Sequence, residues 1–194
     1  MAPGLITAAT QIYQIKIALT EVRPSVWRRV LVPDAMTLDE LHDVIQAAMG
    51  WQDSHLHEFE IDGLRFGVPD PEEDDDDEFF DAAGATLGLV AGEGSTMTYL
   101  YDFGDCWSHL LTVEASSDPE PGARYPRCIA GARPCPPEDV GGTHGYAEFL
   151  AALRDPQHPE HEEMTEWGDG FDPHSFEVGG ADKRLEPLAW INSA

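Results

Sequence analysis

Tyr101-Asp102-Phe103-Gly104-Asp105-Cys106-Trp107-Ser108-His109 is the stretch of sequence on which the fold depends. Apolar residues flank it on both sides, which predicts two strands, near 96–103 and 107–115, joined by a tight turn with Gly104 at the bend. A turn of this kind needs a glycine and at most one aspartate. This one also carries a second carboxylate, a thiol, an indole and an imidazole. We therefore expect a functional site at the turn.

Strand and helix signals follow one another on the N-terminal side of this turn. Alternating apolar residues over 12–17 and 26–32 predict a hairpin. A helix is predicted from Leu38 to Met49, because Thr37 and Glu40 form a capping box and Gly50 can end it. The hairpin and the helix thus begin the fold.

The rest of the chain is predicted to form short strands and helices and one irregular segment. Strands are expected at 55–61 and 64–68, and a helical turn at 86–90. Short helices are expected at 146–153 and 158–167, with a final helical stretch from Asp172 to Leu185. The segment 125–145 is rich in proline and glycine and is expected to be irregular. Strands first and helices last indicate an α+β fold with an antiparallel or mixed sheet and helices at the C-terminal end.

Composition limits the domain organisation and the partners. The 194 residues, 42% of them hydrophobic, fit a single domain at 12–185, with a flexible arm at 1–11 and a tail at 186–194. Eleven Lys and Arg against 37 Asp and Glu give a net charge of −26, which disfavours nucleic acid and anionic membranes as partners. It suits a cation or a basic partner. Three cysteines do not form a disulfide framework, so we expect a cytoplasmic protein with no membrane segment.

Residues 70–78 carry eight acidic side chains in nine positions. Such a run cannot bury apolar surface and is expected to be a solvated loop insertion. Calcium binding is the alternative, but the run lacks the glycine and the terminal glutamate of a calcium loop.

Several blocks of sequence together resemble the plasmid pRiA4b ORF-3-like family. They are Arg23-Pro24-Ser25-Val26-Trp27-Arg28, the stretch from Leu38 to Phe59, the turn 101–109, and the segment from Cys128 to Gly142. The resemblance extends from residue 12 to 185. It implies an α+β fold whose hairpin–helix–strand start is similar to a β-grasp, in a plasmid-associated family largely of unknown function. The acidic run is a departure from the family pattern.

A metal site is one interpretation of the chemistry-bearing residues. Cys128 and Cys135 lie in the irregular segment and His109 lies beside the turn, and thiolate and imidazole are zinc ligands. Six residues separate the two cysteines where a typical zinc pair has two, and no second close pair accompanies them. The alternative is that both are small buried residues and that no cofactor is bound.

A hydrolytic site is the second interpretation. Asp102, Asp105 and His109, joined by Glu138 and Asp139 if the loop folds back, are the ingredients of a metal-assisted or general-base site. The alternative is structural, with carboxylates that bond to backbone groups of the turn and loop. No nucleophile motif or phosphate loop accompanies them, so an enzyme is the less favoured reading.

The preferred interpretation is a non-catalytic module that binds an unidentified protein or small molecule. Its site would lie where the turn 101–109 packs against the loop 125–142. The candidate binding residues are Tyr101, Asp102, Asp105, Trp107, His109, Glu138 and Asp139. Five arginines are a large share of the scarce cations, and they either pair with nearby carboxylates or form one anion-binding patch. Pairing is favoured for these five, which are Arg23, Arg28, Arg29, Arg127 and Arg133.

Overall fold

The structure is a computed structural model that describes residues 5–6, 10–69 and 79–192. The predicted acidic loop 70–78 therefore lies outside the described residues. The strands are β1 Leu5–Ile6, β2 Ile12–Leu19, β3 Trp27–Pro33, β4 His57–Ile61, β5 Leu64–Gly67, β6 Phe79–Asp81, β7 Thr96–Tyr101, β8 Trp107–Ser117, β9 Arg124–Tyr125, β10 Arg127–Ala132 and β11 Trp190–Asn192. The helices are α1 Leu38–Met49, α2 Leu87–Val90, α3 Gly142–Arg154, α4 His161–Trp167 and α5 Val178–Arg184.

One large mixed sheet forms the body of the described chain. Its order is β10-β3-β2-β8-β7-β4-β5-β6, and every pair in it is antiparallel except β5 with β6. The helices α3 to α5 all follow the last strand of this sheet in the chain. The α+β class is therefore confirmed, and so is the placement of the helices toward the C-terminal end.

The predicted hairpin and the predicted helix are both present. β2 pairs antiparallel with β3, with Ile15 opposite Val30. The Thr37 hydroxyl accepts from the Glu40 backbone N at 3.2 Å, and the Glu40 carboxylate accepts from the Thr37 backbone N at 2.9 Å. Gly50 ends the helix in the left-handed conformation, with φ 99°. The hairpin–helix–strand start follows from these local signals and continues into β4.

The core lies between the large sheet and α1. Apolar side chains of the helix and of the central strands β2, β7 and β8 are fully buried there. They include Ile15, Ile17, Leu41, Ile45, Tyr99 and Leu111. The central strands that carry the candidate turn are therefore held on a rigid support.

The prediction that residues 125–145 are irregular is wrong for the first part of that segment. Arg127–Ala132 forms the edge strand β10, paired with β3. The register shifts between Cys128 and Ala130, which breaks the alternation that a sequence pattern would show. Gly131 is required for close packing, because a Cβ there would lie 2.7 Å from the Phe176 ring and 2.9 Å from the Trp27 carbonyl oxygen. Only the part after β10 lacks strands and helices, up to the start of α3.

The two chain ends also take part in strands. β1 lies within the predicted arm and β11 within the predicted tail, and the two pair in parallel, with β9 on the other side of β11. Segments of two or three residues are too short to show a periodic pattern of apolar residues. These strands therefore cannot be predicted from the sequence and are seen only in the tertiary pairing. No helix among the described residues has the length and apolarity needed to cross a membrane.

Candidate functional site

The candidate turn is shaped by an aspartate and a cysteine rather than by its glycine. Asp102 and Cys106 adopt left-handed φ values of 59° and 55°, whereas Gly104 does not. Asp102 tolerates this conformation because its side chain bonds locally: Oδ1 accepts from the Gly104 backbone N at 2.9 Å. The Cys106 backbone N closes the turn by donating to the Asp102 carbonyl at 2.6 Å. Asp102 thus defines the turn and keeps its second carboxylate oxygen, Oδ2, for other contacts.

The turn and the loop beyond β10 are in contact, as the sequence predicts. The Gly141 backbone N donates to Asp105 Oδ2 at 3.1 Å. Gly142 packs so closely on the turn that a Cβ would lie 2.6 Å from the Asp105 carbonyl oxygen. Asp105 therefore anchors the loop where α3 begins, which is a structural role.

A tyrosine and a glutamate form the second link between strand and loop. The Tyr101 hydroxyl donates to Glu138 Oε1 at 3.2 Å and accepts from the Ser54 backbone N at 3.0 Å. Glu138 Oε1 also accepts from the Gln52 backbone N at 2.8 Å. Burial raises the pKa of Tyr101 to about 12, against the hydrogen bond from the Ser54 backbone and with the support of the Glu138 carboxylate, so the hydroxyl stays protonated. The bonds to Oε1 fix the orientation of the Glu138 carboxylate.

His55 lies at the centre of the carboxylates that this packing brings together. Its Nε2 is 3.2 Å from Asp139 Oδ1, 3.6 Å from Asp102 Oδ2 and 3.9 Å from Glu138 Oε2. The same nitrogen is buried, and none of these oxygens is aligned to form a hydrogen bond with it. One ligating atom from each of His55, Asp102 and Asp139 lies within 4.8 Å of the others. We call these four residues, including Glu138, the His55 site.

The loop residue Asp139 is held in the left-handed region, with φ 57°. It is mostly exposed, whereas Asp102 is buried at the base of the turn. A shallow, open cavity of about 530 Å³ adjoins the site and is lined by residues of both the 53–56 segment and the turn. The buried side of the site is therefore held in place by the turn, and its other side is open to a ligand.

Two of the predicted binding residues lie elsewhere, in the core. Trp107 and His109 are fully buried, and the His109 ring meets Trp51 edge to face at 5.3 Å. His109 Nδ1 lies 2.9 Å from the Trp107 carbonyl, to which it donates. Burial lowers the pKa of His109 to about 4, so the ring is neutral. The structure thus places the imidazole in packing contacts, and the predicted triad of Asp102, Asp105 and His109 does not converge.

The predicted zinc ligands Cys128, Cys135 and His109 are not brought together either. Among the described residues, neither group of three ligating side chains contains any of them. The Cys128 thiol points to the Ala130 carbonyl at 3.6 Å. Burial raises the pKa of both cysteine thiols, which keeps them protonated.

The second group of potential ligands is His42, Asp43 and Asp53, of which His42 and Asp53 belong to a hydrogen-bonded network. His42 Nε2 lies 2.8 Å from Asp53 Oδ1, and its Nδ1 lies 2.7 Å from the Tyr99 hydroxyl. The Asp53 carboxylate can only accept, so His42 Nε2 donates to it, and in the neutral ring Nδ1 then accepts from the Tyr99 hydroxyl, which itself accepts from Gln46. Both ring nitrogens of His42 are engaged, which makes this cluster structural.

His55 is the residue whose importance at this site sequence reasoning underestimated. The predicted strand 55–61 included His55, but β4 begins at His57 and His55 precedes it. Its neighbours in space come from residues 102 and 138–139, so no spacing in the sequence could reveal the cluster.

Known proteins similar to this chain support the same fold. The family model for plasmid pRiA4b ORF-3-like proteins matches residues 11–179. The uncharacterised protein y4hQ of Sinorhizobium fredii is 40% identical over 189 residues, covering 94% of this chain and 96% of its own. The crystal structure of MM3350, a protein of unknown function from Methanosarcina mazei Go1, is 35% identical and covers 88% of this chain and 97% of its own, with a TM-score of 0.81. On this evidence the chain belongs to the plasmid pRiA4b ORF-3-like family.

Proposed function

We propose that the protein is a non-catalytic binding domain that takes a divalent cation at the His55 site. The observation that carries this proposal is the buried Nε2 of His55, which faces three carboxylates without an aligned hydrogen bond. A buried polar atom without a partner is costly, and a cation that it ligates removes that cost.

The donor set suits a borderline metal. One imidazole nitrogen with two or three carboxylate oxygens is the kind of ligand set used for Zn²⁺ or Mn²⁺. Hydrogen bonds to neighbouring groups also fix the orientation of two of the carboxylates. Asp102 accepts from Gly104, and Glu138 accepts from Gln52 and Tyr101. The net charge of −26 favours the approach of a cation.

The open side of the site provides the binding function. A cation held by His55, Asp102 and Asp139 would lie beside the adjoining cavity, within reach of a ligand there. A carboxylate or a carbonyl of a protein or small-molecule partner can ligate the cation from that side. The partner would then be recognised through the metal, and the aromatic and apolar residues beside the cavity would contribute contact area.

Binding is preferred to the hydrolytic alternative for a structural reason. Of the three residues proposed for hydrolysis, Asp105 is bonded to the Gly141 backbone and His109 is buried in the core. Only Asp102 remains beside the cavity. An esterase and phosphatase screen of wild type against Asp102→Asn checks this preference, and equal rates are expected.

Isothermal titration with Mn²⁺ and Zn²⁺, on protein purified without an affinity tag, tests the proposal. His55→Gln, Asp102→Asn and Asp139→Asn each remove one ligand. Asparagine tolerates the left-handed φ of both aspartates, so these variants change charge and not the turn. We expect each change to weaken binding by about 10- to 100-fold.

His144→Gln is the matched control, because His144 is exposed on α3 and forms only a surface pair with Glu148. It should bind the metal as wild type does. Absence of binding by wild type, or equal affinities for all variants, would refute the proposed function.

A further inference from the structure

The basic side chains of this acidic protein are not all used in the same way. Of the eleven Lys and Arg, four arginines form ion pairs with described carboxylates. These four are Arg29, Arg65, Arg124 and Arg127. Arg28 is instead buried and donates to backbone carbonyls, including that of Ala48 at 2.9 Å. The pairing predicted from sequence for five arginines therefore applies to Arg29 and Arg127, and among the described residues it fails for Arg28, Arg23 and Arg133.

Four further arginines make no ion pair with any carboxylate of the described residues. Arg184 donates to the Ala47 and Ala48 carbonyls, and the other three are Arg23, Arg133 and Arg154. The hydrogen bonds found for Arg23 go from Nη1 to the Thr20 and Val22 carbonyls at 3.2 and 3.0 Å. These two bonds hold the guanidinium in place and use only one of its nitrogens. In a chain with 37 acidic residues, three such arginines need an explanation.

All three line one cavity of about 480 Å³. They come from separate parts of the chain: Arg23 follows β2, Arg133 follows β10, and Arg154 ends α3. The position of Arg154 in the last turn of α3 is favourable for that helix by itself. That argument does not explain why the two other arginines converge on the same cavity.

The lining of this cavity also has an apolar part, beside the polar residues His161, Thr165 and His174. This apolar wall is formed by Val22, Tyr146, Leu150, Leu153 and Phe171. Val22 and Tyr146 are buried, and the other three are half-buried. The volume is within the range of small-molecule sites, about 300 to 1,000 Å³. Asp172 is the acidic residue in the lining, and its Oδ1 already accepts from the His174 backbone N at 2.9 Å.

We propose that this cavity binds a small carboxylate with an apolar body, such as a medium-chain aliphatic or an aromatic acid. The apolar wall buries the body, and the guanidinium groups pair with the carboxylate through charge-assisted hydrogen bonds. This inference goes beyond the proposed cation site, because the residues lining the two sites are different. It assigns a ligand class to three arginines that make no ion pair among the described residues; Arg133, like Arg23, only contacts neighbouring groups, the Pro173 carbonyl and the His174 ring.

Titration calorimetry with hexanoate, acetate and 1-hexanol tests both halves of the site. Hexanoate is expected to bind at least about tenfold more tightly than acetate, which lacks the apolar body. Hexanol, which lacks the charge, is expected not to bind measurably. Hexanoate binding no tighter than that of acetate, or matched by hexanol, would overturn the proposal.

The double variant Arg23→Gln with Arg154→Gln removes two charges from exposed positions and leaves the apolar wall intact. We expect hexanoate affinity to fall by roughly tenfold or more, since hydrogen bonds to charged groups are strong. Arg65→Gln is the matched control, because Arg65 pairs with Glu58 and does not line the cavity. An equal affinity of the double variant and wild type would refute the assignment. Because the probes contain no metal, this test does not depend on the His55 site.

Discussion

Acidification should destabilise the protein through the buried imidazole of His109. The ring is fully buried and its Nε2 has no hydrogen-bond partner, so the folded state holds it neutral. Its pKa is lowered from 6.5 to about 4, first by burial and against the opposing effect of the Tyr99 and Trp107 carbonyls. In the unfolded chain the same ring takes up a proton near pH 6.5.

The sign and size of the effect follow from linkage. The lowered pKa means that the unfolded state binds more protons between pH 6.5 and 4, so stability falls as the pH falls through that interval. Above pH 6.5 the free energy of unfolding keeps its full contribution from the neutral ring. Across the whole interval between the two pKa values, the free energy of unfolding falls by ~3 kcal/mol. About 2 kcal/mol of this is lost between pH 7.5 and pH 5. This is a large part of a typical stability of roughly 5–15 kcal/mol.

Urea unfolding at pH 7.5 and pH 5.0 measures the effect, and both values lie above the isoelectric point of about 4.3. The comparison is between wild type and His109→Asn, because the asparagine amide nitrogen can replace Nδ1 as the donor to Trp107. Protonation of the many carboxylates and of His57 changes both proteins alike, so only the difference between them is used. Wild type should lose about 2 kcal/mol more than the variant between the two pH values.

His144→Asn, at an exposed position, should behave as wild type does. Equal losses in wild type and His109→Asn would refute the conclusion that burial keeps this histidine neutral.

Two further predictions concern packing and capping. Gly131→Ala should destabilise the protein by about 1–3 kcal/mol, because the new methyl group would collide with Phe176 and the Trp27 carbonyl. In urea unfolding, Gly179→Ala, where a Cβ meets nothing within 4 Å, should be neutral or slightly stabilising, and equal effects of the two changes would contradict the close-packing argument. Thr37→Ala should lower stability by about 1 kcal/mol, since the cap to the Glu40 backbone N is lost, and an unchanged urea midpoint would contradict the role of the capping box.

The two proposed sites differ in how far the sequence could predict them. The contact between the turn and the loop was predicted and is confirmed by the bonds from Tyr101 to Glu138 and from Gly141 to Asp105. The sequence did not indicate the role of His55, because no local pattern shows which histidine will lie beside Asp102, Glu138 and Asp139. A shared anion-binding patch with Arg23 and Arg133 was the less favoured alternative to pairing, and the sequence did not indicate that Arg154, far away in the chain, lines the same cavity.

The sequence by itself determined the elements whose signals are local. The hairpin of β2 and β3 follows from alternation, α1 follows from its capping box and apolar period, and the candidate turn follows from polar residues between two apolar runs. Only the tertiary structure decided that 127–132 is an edge strand and that His109 lies in the core while His55 faces the carboxylates. The physical reason is that edge pairing, burial and side-chain convergence depend on contacts between distant residues, which leave no periodic trace in the sequence.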